Sequence, residues 1–205
     1  MQQDPRTKNK LPQAADIEGF AQGYFKMLFE ASTKINVANL NQALEILEGT
    51  INAGQCVYIG GNGGSSAISD HLCCDWTKGT SHPAFKTLKT HSLTASTALL
   101  TALANDQSYE DVFARQLEYY CSAKDVVILI SSSGNSPNIL RAMATAKKIG
   151  AKVIGMSGFE GGALKTGCDI SLHVPENNYG VVEDCHQSLM HIIAQYIARR
   201  RDSKK

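Results

Sequence analysis

A chain of 205 residues with 43% apolar content can bury one core but is short for two, so one domain of roughly 150 to 190 residues with a ragged tail is expected. The formal net charge is +1 with a pI near 7.6, and no basic stripe interrupts that balance, which argues against nucleic acid as the partner. No apolar run approaches the ~18 residues of a membrane-spanning helix, and the polar opening Met1 to Gln13 carries Pro5 and Pro12, so neither a membrane span nor a signal peptide is read and a cytoplasmic location is expected.

Residues 1–14, rich in Gln, Lys, Arg, Asn and Pro, read as a flexible tail, and 15–205 as one domain that includes an N-terminal helical pair. The spacing of Ile17, Phe20, Tyr24, Phe25 and Leu28 predicts a helix over 16–35, and Leu40, Ala43, Leu44, Ile46 and Leu47 predict a second from Val37 to Ile51, ending near Ala53-Gly54. The aromatic stripe Phe20, Tyr24, Phe25 and Phe29 reads as core or subunit interface. Val57-Tyr58-Ile59 then forms a buried strand that ends at Gly60-Gly61-Asn62-Gly63-Gly64. Ser65 and Ser66 stand where an N-cap belongs, and Ala67, Ile68, Leu72 and Trp76 continue as a helix. That order brings unpaired backbone N–H groups, a positive helix end and hydroxyls to one point, which suits a phosphate. The glycines match neither a dinucleotide fingerprint nor a nucleotide-triphosphate loop.

Pro83 to Leu93 carries a weaker strand signal, Ala95 to Asn105 a helix broken by Asn105-Asp106, and Tyr109 to Tyr120 another helix. The strand Val126 to Ile130 runs into Ser131-Ser132-Ser133-Gly134-Asn135-Ser136-Pro137, followed by a helix to Ile149-Gly150 that Pro137 can start. A strand over 152–156, a loop over 158–162, a short helix to Thr166, a strand over 169–174 and a helix from Val181 to Arg200 complete the chain. The basic run from Arg199 to Lys205 reads as a solvated helix end. This alternation predicts an α/β, doubly wound parallel sheet covered on both faces. The six cysteines, at 56, 73, 74, 121, 168 and 185, show neither zinc-knuckle nor disulfide spacing, so reduced and mostly buried thiols are expected.

Two hydroxyl- and glycine-rich loops follow two strands, and the carboxyl edge of an open α/β sheet is where ligands bind, so a phosphorylated small molecule is the expected occupant. Four residues apart on the first loop's helix lie His71 and Asp75. On the last helix Glu183, Gln187 and His191 repeat at steps of four, with Asp184 and His186 beside them. Two imidazoles and two carboxylates on two helices suit either a zinc set or an acid–base set. The residues alone also allow a plainer reading, in which dipole-favoured acids begin a helix and a surface pair decorates another. His82, His91 and His173 have no such company.

The loops GGNGGSS and SSSGNSPN, the AND at 104–106 and VVEDCH…H near the end make the chain from about residue 17 to 200 resemble a single sugar-isomerase (SIS) domain of the phosphoheptose isomerase type. The resemblance implies a flavodoxin-like sheet of five parallel strands, a homotetramer with inter-subunit sites, and conversion of sedoheptulose 7-phosphate to the aldoheptose 7-phosphate for surface-polysaccharide heptose. It also implies that Ser131, Ser132, Ser133 and Ser136 grip the phosphate with Asn62, Gly63 and Ser65, and that Asp106 lies near the sugar. Zn2+ would be held by His71, Asp75, Glu183 and His191, with Asp75 as base and His191 as acid, the last helix reaching in from a neighbouring subunit. The chain has Asp75 where the family usually has Glu, Glu183 where it has Gln, and no Arg-Ile before position 183. The competing reading is a non-catalytic SIS protein, a phosphosugar sensor or a replication-initiator-binding assembly factor. In the latter relatives the final-helix histidine is replaced, whereas His191 is present.

Overall fold

Residues 9–203 are described by the structure, a computed structural model. Its strands are the short β-branched runs: β1 (Cys56–Gly61), β2 (Lys89–Ser92), β3 (Val126–Ser131), β4 (Lys152–Ser157) and β5 (Ile170–His173), all parallel in the order β2-β1-β3-β4-β5. Every residue of β3 is buried, as a central strand covered on both faces requires. Eight helices cover it among the described residues: α1 (Ile17–Thr33), α2 (Val37–Ala53), α3 (Gly64–Cys74), α4 (Thr97–Asp106), α5 (Val112–Tyr120), α6 (Pro137–Ile149), α7 (Gly162–Gly167) and α8 (Tyr179–Asp202).

The period-two alternation of the strands divides the core. Ile59, Ile128, Ile130 and Ile154 face α2, α3 and α8, where Leu47, Leu72, Trp76, Leu189 and Ile193 meet them. Tyr58, Val127, Leu129 and Val153 face the other layer, with Phe113, Leu117, Ile139 and Leu164. Ile59 is in register with Ile128, and Ile128 with Ile154. From β1 the chain goes outward to β2, and from β3 it goes outward to β4. The carboxyl ends of β1 and β3 therefore flank the topological switch point, and the two singled-out loops leave from those two ends.

Several local expectations need correction. Only 89–92 of the 83–93 stretch pairs, at the sheet edge. The N-cap of α3 is Gly63 at φ 55, not a serine, because the chain must turn through a left-handed backbone that a glycine adopts cheaply. Residues 1–8 of the expected tail lie outside the described residues; 9–12 are tethered, with Lys10 N donating to Asn177 O at 2.6 Å and Asn178 Nδ2 to Lys10 O at 2.7 Å. Of the cysteines, only Cys185 is buried and Cys74 is exposed, although all six are free thiols. Burial still pushes the Cys73 thiol up to about 11 and the Cys121 thiol up to about 12, so neither is a ready nucleophile. Arg201 is buried rather than solvated, because its guanidinium bonds the carbonyls of Thr80 and Lys86. Phe25 and Phe29 of α1 point outward, 67% and 70% exposed, which removes the core reading of the aromatic stripe at those two positions.

Candidate functional site

Both loops carry helix N-termini, and side chains join them. The serine loop keeps Ser131 and Ser132 buried, with their hydroxyls at the end of β3, and Ser131 Oγ lies 3.1 Å from Ser136 Oγ. Gly134, at φ 66, packs its α-carbon on the Gly161 carbonyl, where any side chain would collide. Gly158 N donates to Ser132 O at 2.8 Å and Leu164 N to Gly134 O at 2.9 Å, so the 158–162 loop buttresses the serine loop from behind. In front, Asn62 of the glycine loop and the buried Asn138 of α6 exchange two amide hydrogen bonds of 2.9 and 2.8 Å. The Tyr109 hydroxyl donates to Asn62 Oδ1 at 2.9 Å. Two N-terminal dipoles and a set of hydroxyls thus share one rim, which attracts an anion without a formal cation.

Where the first turn of α3 begins, a carboxylate stands close. A methyl group on Gly64 would collide with the carboxylate of Glu183 from α8. Burial, with Asp184 adding repulsion, holds the Glu183 carboxyl above the ordinary range. Asp184 itself accepts from the Tyr24 hydroxyl at 2.6 Å, which ties α1 to α8. Asp106 is exposed at the end of α4 and accepts from Asn105 Nδ2 at 2.9 Å; Tyr109, three residues on, is what reaches the glycine loop.

Farther along α3, His71, Asp75 and His191 offer ligand atoms that all lie within 4.8 Å of one another. His191 Nδ1 is 3.1 Å from Asp75 Oδ2, His71 Nε2 is 3.5 Å from Asp75 Oδ1, and the two rings stand edge to face at 5.2 Å. Gln187 closes the ring: its Nε2 lies 2.6 Å from His71 Nδ1 and 3.2 Å from His191 Nε2. The amide and the Asp75 carboxylate thus stand at opposite nitrogens of each imidazole. Asp75 opens a five-residue π-helical turn, a departure from the α-helical ladder that often marks functional positions, and the buried Trp76 beside it donates Nε1–H to Met190 O at 3.1 Å. That bond sets the axial position of α8 against α3. All four side chains come from one chain.

Glu183, expected as the fourth ligand, is not among the three residues brought within 4.8 Å; it lies one helical turn before Gln187, on Gly64. Two imidazoles and a carboxylate are the donor types of a catalytic zinc site with three protein ligands, and the set is half exposed, so a further position remains accessible. The residues present therefore fit zinc, with the Gln187 amide orienting both rings from behind. Sequence reasoning missed Gln187, Asn138 and Tyr109 as site residues. Gln187 did carry a signal, the i, i+4 step to His191, and Asn138 closes the SSSGNSPN motif; nothing local marked Tyr109.

The chain is also similar to known proteins. A family model described as the SIS domain matches residues 22–158. A phosphoheptose isomerase of Campylobacter concisus (strain 13826) is 37% identical over 161 residues, covering 78% of this chain and 85% of that protein. One from Clostridium acetobutylicum is 34% identical over 194 residues, covering 92% and 98%. Among solved structures, a phosphoheptose isomerase from Neisseria gonorrhoeae superposes with a TM-score of 0.82 at 28% identity, covering 89% of this chain and 98% of that one.

Proposed function

Because the chain belongs to the SIS domain family, we propose that it is an aldose–ketose isomerase acting on a phosphorylated sugar, converting sedoheptulose 7-phosphate to D-glycero-D-manno-heptose 7-phosphate through an enediol. The observation that carries this reading is the pairing, in one chain, of a joined two-loop anion cradle with an imidazole–carboxylate cluster farther down the same helix. From Gly64 to His71 is seven residues, about 10 Å at the rise of an α-helix. Seven bonds separate the phosphorus of a heptulose 7-phosphate from its carbonyl carbon, about 8 Å at the ~1.2 Å per bond of an extended chain. The substrate spans from the loops to the cluster.

In that pose the hydroxyls of Ser131, Ser132, Ser133 and Ser136 and the N–H groups at the start of α3 and α6 hold the phosphate. Asp75 takes the proton from the carbon beside the carbonyl, and His191 exchanges a proton with the sugar oxygen; their 3.1 Å contact keeps both beside the reacting carbons. His71, Asp75 and His191 would hold a zinc ion, which when bound supplies Lewis-acid polarisation of the carbonyl. Gln187 fixes the ring planes. The carboxylate of Glu183 stands at the first turn of α3, beside the phosphate end in this pose.

Exposed side chains of α1 support the proposed assembly. Ile17, Phe25 and Phe29 leave a large apolar face in water, 81%, 67% and 70% exposed, and a homotetramer would bury it between copies. The partners in this reading are a phosphorylated sugar and further copies of the chain. No helix among the described residues is long and apolar enough to cross a membrane. A coupled assay with sedoheptulose 7-phosphate, run beside metal analysis and light scattering, tests the proposal. Turnover with about one zinc per chain is expected; phosphosugar binding without turnover would replace the enzyme by a sensor.

A further inference from the structure

The family resemblance implies Asn62 as a ligand of the phosphate; its carboxamide is engaged with protein partners. Its Oδ1 accepts from Asn138 Nδ2 at 2.8 Å and from the Tyr109 hydroxyl at 2.9 Å, and its Nδ2 donates to Asn138 Oδ1 at 2.9 Å. Asn138 is 2% exposed, so this is a built junction rather than a surface encounter. Tyr109 is 54% exposed and would be free to swing, but its backbone is pinned. Arg141 of α6 pairs with both residues that follow it, Glu110 and, at 2.7 Å, Asp111, while Ser108 Oγ donates to Asp111 Oδ2 at 2.7 Å. The short 3-10 turn Tyr109–Asp111 is thus anchored to the helix of the serine loop and presents its hydroxyl to the glycine loop.

We propose that Tyr109 is a positioning residue: through Asn62 and Asn138 it holds the glycine loop in register with the serine loop, so that both helix N-termini address one anion. It acts on phosphate affinity without touching the phosphate or the reacting carbons. The inference rests on the loops being a phosphate site, and not on the identity of the sugar or on turnover.

The test is Tyr109→Phe, which removes one exposed hydroxyl and keeps the ring. The variant is expected to raise KM for the sugar phosphate about five- to tenfold, the scale of one neutral hydrogen bond, with kcat within twofold. Binding of inorganic phosphate, measured by calorimetry, weakens by the same factor. In an Asn62→Ala background the same change has no further effect, because the two residues act as one unit. Additive losses would show that Tyr109 contacts the ligand itself, and unchanged phosphate affinity with a lowered melting temperature would show a purely structural hydroxyl; either overturns the proposal. If the wild-type protein binds phosphate but isomerises nothing, the isomerase reading fails while the calorimetric comparison still decides this one. If it binds no phosphate, this proposal falls with the cradle.

Discussion

The two ends of the sheet invite opposite guesses from charge alone. At the amino end, a cleft of about 110 Å³ gathers Lys86, Arg200 and Arg201 beside Glu48. Yet each cation there already has its partner. Arg201 bonds the carbonyls of Thr80 and Lys86 and lies 5.7 Å from the Phe85 ring, Lys86 bonds Asn52 O at 2.7 Å, and Arg200 bonds Glu48 at 2.6 Å. The carboxyl end presents hydroxyls and helix N-termini and, among the described residues, no such cluster. Helix C-termini consume positive side chains as caps, whereas helix N-termini leave donors open, which is why the proposed anion site lies where the formal charge is lower.

Breaking the comparison at its active end should give the largest effect. Asp75→Asn keeps the shape and removes the base, and kcat is expected to fall by a factor on the order of 10² to 10⁴ with the melting temperature nearly unchanged. Normal turnover of sugar phosphates by that variant would refute the assigned role. At the other end, Arg201→Met should leave KM and kcat alone but cost about 2–4 kcal/mol in urea denaturation, since two carbonyls lose a buried charged donor. A change in phosphate affinity there would mean that the amino-end cluster is a ligand site after all.

A smaller and pH-dependent contrast sharpens the picture. His186 of α8 is fully buried, with Nε2 3.2 Å from Ser157 O, and burial lowers its pKa from 6.5 to about 4. The unfolded chain takes up this proton below about pH 6.5, and the folded chain does not until about pH 4. This group's contribution is therefore complete above 6.5 and is lost as pH falls toward 4, by up to about 3 kcal/mol. Thermal melts across that window should show the loss, and His186→Gln should flatten that part of the curve. An equally steep curve in the variant would assign the loss to other groups.

Much of the fold was legible. Val126 to Ile130 and Val153 to Met156 are apolar runs too short for helices and bounded by turn residues, and they became central strands. The serine loop was legible because a strand that runs into four serines and a proline has to stop. His71 and Asp75 were legible as a pair because they lie one turn apart on one helix. Glu183 and Gln187 were not separable in this way. Both share the stripe of His191, and which of them stands beside His71 depends on how far α8 is slid along α3. Arg201 was misread as solvated because nothing near it in sequence announces the carbonyls of Thr80 and Lys86.

By itself the sequence determined what is decided within one turn or one strand: where backbone hydrogen bonding starts and stops, which residues alternate toward a core, and which loops leave N–H groups open. Only the tertiary structure decided which distant side chains meet: Asn62 with Asn138 and Tyr109, Glu183 with Gly64, and Gln187 with two histidines. The reason is geometric. Local periodicity specifies the face a residue occupies, but the axial offset between two packed helices is set by contacts such as Trp76 to Met190, and a shift of one turn, about 5.4 Å, exchanges one partner for another.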